Sequence, residues 1–218
     1  MIKKIALFVT ISILTIGTTF GQFSFKYGGK IGGATTNLTG VGLKDFTPKP
    51  GIKLIFGGIT NLSYGSRIAL QVEAIYSGKG SGFSYSADNS IYRGKATVTE
   101  KLGYFAVPVM FQFKLGDRDN YFHFDLGVIS NILVYNKFKG TIVVTDDKGN
   151  ESIQDMNIKE TPNKHDLGYA FGFGLVANGL NFDFRYEVGQ KQVFSSKEGN
   201  PSILNRAFQV SVGYTVRY

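Results

Sequence analysis

Residues 180–188 read Leu-Asn-Phe-Asp-Phe-Arg-Tyr-Glu-Val, an unbroken alternation of apolar and polar side chains. Successive side chains of a β-strand point to opposite faces, so Leu180, Phe182, Phe184, Tyr186 and Val188 share one face while Asn181, Asp183, Arg185 and Glu187 share the other. A helix would mix the two sets. Seven further stretches carry the same period: Phe23 to Ala34, Ile52 to Leu62, Arg67 to Ser77, Leu102 to Leu115, Tyr121 to Val134, Asp166 to Val176 and Asn205 to Tyr218. Eight two-faced strands with one strongly apolar face predict an antiparallel up-and-down β-barrel.

Two strands carry blemishes. Ile55 and Ile59 fall on the polar side of the second, and Pro108 interrupts the fourth. Every strand of a closed barrel has two neighbours, so a proline there removes a ladder bond and predicts a bulge or local irregularity.

The connections alternate in length. Ser63 to Ser66, Gly116 to Asn120 and Ala177 to Gly179 are short, the last carrying the Asn178-Gly179 hairpin signal. Thr39 to Pro50, Gly78 to Lys101, Asn136 to His165 and Gly189 to Leu204 are long. Outer-membrane barrels have short periplasmic turns and longer extracellular loops, so this order predicts a transmembrane barrel with four external loops. About ten residues at roughly 3.3 Å each, tilted near 40°, span the roughly 25 Å of a lipid-facing belt. Tyr27, Tyr64, Tyr76, Tyr169 and Tyr218 near strand ends suit the headgroup level, where an apolar ring and a wet hydroxyl are both accommodated.

Lys3 and Lys4 precede the apolar run Ile5 to Ile16, followed by Thr19-Phe20-Gly21. The run is too short for a membrane-spanning helix and reads as a secretory signal peptide over residues 1–21, leaving a barrel domain at 22–218. Its removal takes the formal charge from +8 to 8 − 2 = +6. The remaining Lys and Arg are spread among strands and loops rather than clustered, which argues against a nucleic-acid partner. The 218 residues contain no cysteine, which excludes disulfides, thiol nucleophiles and a lipidated cysteine.

With the apolar faces on lipid, the lumen receives Lys26, Lys30, Lys53, Arg67 and Glu73 from the first three strands. It also receives His123, Asp125, Asp183, Arg185, Glu187 and Arg217. An eight-stranded barrel is just wide enough to be filled by its own side chains, so these predict a paired plug rather than a channel. Arg185, flanked on its own face by Asp183 and Glu187, is the expected centre, since a guanidinium can serve two carboxylates.

Catalytic and metal signals are weak. His123 and His165 are the only histidines, and the topology puts them near opposite ends; a His165-Asp166 pair activating water at the rim is the one enzymatic arrangement on offer. Asp146 to Glu151 lacks the ligand spacing of an EF-hand and reads as the tip of a hairpin between Thr141–Thr145 and Ser152–Met156. No enzyme activity, cofactor or metal is expected. Loop residues Tyr85, Tyr92, Phe138 and Phe194 suit contacts with a protein or an anionic glycan.

The segments Lys26–Gly33 (KYGGKIGG), Gln71–Gly80 (QVEAIYSGKG), Tyr104–Pro108 (YFAVP), Phe182–Gly189 (FDFRYEVG) and Asn205–Tyr214 (NRAFQVSVGY) resemble the PorT-like family of small outer-membrane β-barrels. Ala106 stands where that family often has an acid. The resemblance implies a barrel in the outer membrane of a Gram-negative cell, without shared catalytic residues; lipid and lipopolysaccharide are its expected surroundings and a monomer its expected state. Its namesake acts near protein secretion, so an accessory role in a secretion system is one alternative. Another is a secreted lipocalin-like barrel with the apolar faces turned inward around a hydrophobic ligand, which alternation alone does not distinguish.

Overall fold

The computed structural model describes residues 23–40, 47–49, 51–80, 82–88, 93–145, 151–156, 163–192 and 203–218. The signal-peptide segment 1–21, the hairpin tip 146–150 and the loop aromatics Tyr92 and Phe194 lie outside these residues, as does the side chain of Tyr85. The described residues form eleven strands: β1 (Phe23–Gly40), β2 (Thr47–Lys49), β3 (Gly51–Tyr64), β4 (Ile68–Lys79), β5 (Gly82–Asp88), β6 (Arg93–Gly116), β7 (Asn120–Thr145), β8 (Glu151–Met156), β9 (His165–Ala177), β10 (Leu180–Gln192) and β11 (Ile203–Arg217).

Eight of them make the predicted ring. Each of β1, β3, β4, β6, β7, β9, β10 and β11 pairs antiparallel with the next, and β1 pairs with β11 to close it. Closure leaves the barrel wall without an open sheet edge. The turn at Asn178 (φ 49°) and Gly179 (φ 88°) has both central residues in the left-handed region, as a two-residue hairpin requires.

The ladders run further than the alternation signalled. Arg93–Lys101 and Lys137–Thr145 continue β6 and β7 as a paired ribbon, flanked by β5 and β8. Thus much of the predicted Gly78–Lys101 and Asn136–His165 loops is strand. Thr97, Val98, Thr99, Thr141, Ile142, Val143 and Val144 supply β-branched residues, but nearly all of them are half-exposed, so the period-two contrast disappears. The expected hairpin of Thr141–Thr145 with Ser152–Met156 is present, with Thr145 opposite Glu151.

Pro108 brings the expected local irregularity without a shift of register. The β4–β6 ladder lapses between the Val72–Val109 and Ile75–Ala106 pairs and resumes in phase, because the missing N–H costs a bond without adding a residue. The register shift in this region lies instead between Gly103 and Tyr104, where β7 contributes an extra residue.

The faces are sorted apolar out and polar in. Phe111 (53% exposed), Leu126 (66%) and Phe173 (46%) stand outside, whereas Glu73 and Arg185 are 2% exposed inside. The soluble-calyx alternative therefore fails: the phenylalanines of β9, β10 and β11 lie on the perimeter. A soluble monomer rarely exposes a contiguous apolar patch beyond roughly a few hundred Å², and this belt circles the barrel. Ile55 and Ile59, which blurred the sequence pattern, are inward and buried; Ile75, Ala106, Met110, Ile129 and Ala170 form a small apolar cluster on one side of the lumen.

Candidate functional site: the polar lumen

Inward positions of β1, β4, β7 and β10 bring most of the predicted lumen residues together. Arg185 on β10 donates from Nη1 to Glu73 Oε2 at 2.9 Å and from Nη2 to Oε1 at 2.6 Å. Lys30 Nζ lies 2.8 Å from the same Oε2. One carboxylate therefore holds two cations contributed by two other strands. In the ring, β4 and β10 are four steps apart in either direction, so the Glu73–Arg185 pair crosses the barrel axis.

A second pair makes the same crossing. Lys79 Nζ on β4 is 3.1 Å from Glu187 Oε2 on β10 and donates to Asn131 Oδ1 on β7 at 3.2 Å. Gln209 on β11 donates to the other Glu187 oxygen at 2.6 Å. Asp183 takes a different partner: its Oδ1 is 3.3 Å from His123 Nε2, while His123 Nδ1 faces Asp125 Oδ1 at 2.9 Å. A ring protonated on both nitrogens would donate to both carboxylates.

The expected placement of Arg185 between Asp183 and Glu187 needs correction. Those residues share its face, but consecutive inward positions lie one above another along the strand. Arg185 therefore reaches across the lumen to Glu73, while its neighbours find His123 and Lys79.

The donor atoms of His123, Asp125 and Asp183 lie within 4.8 Å of one another, close enough to hold a metal ion. Each ring nitrogen already faces its own carboxylate, however, so an ion bound to either would have to displace a hydrogen bond. Gly174 makes this packing feasible: a Cβ there would lie 2.5 Å from His123 Nε2.

Three predicted lumen residues sit elsewhere. Arg67 lies in the exposed turn before β4. Arg217, with its side chain 40% exposed, pairs at the rim with Asp119, Nη2 to Oδ1 at 2.7 Å. Lys53 is only half-buried, near Glu100 and Lys101 at the long-loop end. For Arg217 and Lys53 parity gave the right face but not the depth, because the lumen opens to solvent at both ends. At Arg67 the strand has already ended.

Several participants escaped the sequence reading. Lys79 falls within the predicted loop Gly78–Lys101, yet it continues the inward parity of Glu73 and Ser77. Gln112 and Lys114 share the inward parity of Met110 on β6, opposite the outward phenylalanines Phe111 and Phe113. With Asn61, Ser63 and Gln71 they form an amide and hydroxyl layer toward the short turns, in which Asn61 Nδ2 donates to Gln112 Oε1 at 2.5 Å and Lys114 Nζ donates to Ser63 Oγ at 2.6 Å.

Outside the spanning strands, Asp119 collects the charge of one rim. Lys26 Nζ approaches its Oδ1 at 3.2 Å and donates to the Arg118 carbonyl at 2.8 Å. The hydrogen bond from Lys26, helped by the charges of Lys26, Arg217 and Arg118, holds the Asp119 carboxyl below the usual carboxylate range. His165 and His123 do not meet. His165 pairs with Ile132 and His123 with Gly174, which puts nine positions (174 − 165) between them along β9, about 30 Å at the usual rise.

A closed antiparallel ring with an apolar exterior and a charged, hydrogen-bonded interior is the architecture of a transmembrane β-barrel. A profile described as "Outer membrane protein beta-barrel domain" matches residues 14–195, and the chain belongs to that family. It is an integral outer-membrane protein. Among solved structures it is similar to Ail, the attachment invasion locus protein of Yersinia pestis, at 12% identity, covering 88% of this chain and 98% of that one with a TM-score of 0.40. Neisserial surface protein A is similar at 11% identity, with 89% and 97% coverage and a TM-score of 0.38. OprG from Pseudomonas aeruginosa is similar at 10% identity, with 89% and 95% coverage and a TM-score of 0.30. No curated protein matches the chain.

Proposed function

We propose that this protein is a non-enzymatic outer-membrane barrel whose lumen is plugged by its own side chains and whose long-loop end makes the contacts of the cell surface. The observation that carries the plug is the pair of ion bridges, Glu73–Arg185 and Lys79–Glu187, joining strands on opposite sides of the ring. A conducting pore needs an axis free of such bridges. Here a permeating ion would have to break hydrogen-bonded, buried charge pairs, each of which is strongly destabilising to leave half-made.

The short turns Tyr64–Ile68, Gly116–Asn120 and Ala177–Leu180 then face the periplasm and the long connections face outward, following the rule for this class. The β6–β7 ribbon with its flanking β5 and β8 carries the surface-contact role, for a protein or glycan partner, on a monomer surrounded by phospholipid and lipopolysaccharide. The separation of the two histidines argues against a site that uses both imidazoles. The segments around Lys26, Gln71, Tyr104, Phe182 and Asn205 support placing the chain among the PorT-like members of its family.

Conductance of the refolded protein in planar bilayers tests the plug. Silence, or only rare brief openings, is the expected record, and Arg185→Ala should raise their frequency. Steady open-channel current from the unaltered protein would overturn the plug.

A further inference from the structure

At the short-turn end the lumen opens at the rim through a small recess, whose enclosed part has room for about one water-sized group, lined by Lys26, Lys114, Arg118 and Arg217 together with Ser24 and Ser63. The lining brings four cations to one opening. Two carboxylates on the adjoining turn, Asp117 and Asp119, offset part of that charge, and Asp125 acts on Lys114 from further inside the lumen.

Lys26 and Lys114 are the two buried cations of the lining, and Lys114 is the less compensated of them. Lys114 is 3% exposed; its Nζ donates to Ser63 Oγ at 2.6 Å and Asn61 Oδ1 at 3.4 Å and sits 4.4 Å from the centre of the Tyr121 ring. Among the described residues no carboxylate lies within 4 Å of it, whereas Lys26 and Arg217 share Asp119. A buried ammonium that lacks an ionic partner carries an uncompensated desolvation cost. Beside it, Ser24 Oγ is buried without a hydrogen-bond partner, a hydroxyl free to donate.

We propose that this recess binds a phosphate group. One oxygen would enter between Lys114, Lys26 and the Ser24 hydroxyl, while the rest of the group stays at the rim between Arg118 and Arg217. A phosphate group is an anion that a predominantly cationic lining attracts. Its several acceptor oxygens suit convergent ammonium, guanidinium and hydroxyl donors better than a single-atom anion does. The phosphate could be a lipid headgroup from the adjacent leaflet or a soluble phosphate. The periplasmic position of the site rests on the orientation proposed above, but binding itself does not.

The full barrel, refolded in phosphate-free dodecyl maltoside micelles, is titrated calorimetrically with inorganic phosphate and, separately, with a short-chain phosphatidic acid. Saturable binding of either probe is expected, weakened about tenfold or more by Lys114→Gln or Arg118→Gln and unchanged by Lys101→Gln, an exposed cation at the other end. Preference for inorganic phosphate would identify a soluble ligand, and preference for the lipid a headgroup. Arg118 is exposed, so its variant reports on the site even if Lys114→Gln does not fold. Absence of saturable binding by both probes, or equal affinity in the Arg118 and Lys101 variants, would overturn the proposal.

Discussion

Arg185 and Glu73 face each other across the lumen from strands four steps apart in the ring, joined by two hydrogen bonds of 2.9 and 2.6 Å. Both side chains are all but inaccessible to solvent. The pair ties together opposite walls that share no backbone ladder, and Lys30 adds a third wall through the same carboxylate.

Removing Arg185 leaves Glu73 buried with Lys30 as its remaining cation, and removing Glu73 leaves both cations buried without it. Arg185→Met should therefore lower stability by about 3–5 kcal/mol. The double variant Glu73→Leu with Arg185→Met should lose less than the sum of the two single changes, although Lys30 then loses its carboxylate as well. Urea unfolding in lipid vesicles followed by tyrosine fluorescence measures both. A double variant as unstable as the sum of the two single changes would contradict this account.

The outward belt is tested at Phe171, which is exposed and rests against the Tyr186 ring at a centroid distance of 5.3 Å. Phe171→Arg puts a cation into lipid near mid-strand, at a cost of about 2–4 kcal/mol. The same substitution should barely affect stability if the belt faced water. Folding yield into vesicles, read from the mobility difference between unheated and boiled gel samples, distinguishes the outcomes.

Gly179 holds the β9–β10 turn with φ at +88°, and a Cβ there would lie 2.4 Å from the Thr215 carbonyl oxygen. Gly179→Val combines a left-handed conformation that costs roughly 1–2 kcal/mol with that clash. A lower urea midpoint and slower folding are expected, while Asn178→Gly should be tolerated because glycine accepts the same backbone angles.

Asp119 gives the rim an acid sensitivity. Its carboxyl titrates below the ordinary range in the folded protein because Lys26 donates to it and Lys26, Arg217 and Arg118 surround it with positive charge. A lowered folded value means that the contribution to stability is complete above the ordinary carboxylate pKa and is lost as pH falls through the folded one. Asp119→Asn should thus show a shallower loss of thermal stability on acidification than the unaltered protein. Parallel curves would show that the rim contacts are too solvated to matter.

The ring was legible because period-two alternation survives wherever one face meets apolar surroundings and the other does not. Leu180–Val188 and Phe208–Val216 displayed it plainly, and the short turns fell where Asn178-Gly179 and its counterparts placed them. The ribbon of Arg93–Lys101 on Lys137–Thr145 was not legible, since a strand wetted on both faces carries no hydropathy contrast. At Pro108 the irregularity was legible but not its form: whether a ladder shifts register or skips a bond in phase depends on the pairing partner.

Within the lumen, residue type and parity identified Lys26, Lys30, Glu73, His123, Asp125, Asp183, Arg185 and Glu187 as inward side chains. Their partners were another matter. Alternation is a local property of one strand and determined which face each side chain occupies, and with it that the chain makes a barrel. That Glu73 receives Arg185 rather than leaving it to Asp183 or Glu187, and that Lys114 is left without a carboxylate, was decided only by closure. Joining β1 to β11 determines the stagger of all eight strands, and the stagger determines which inward residues meet across the axis.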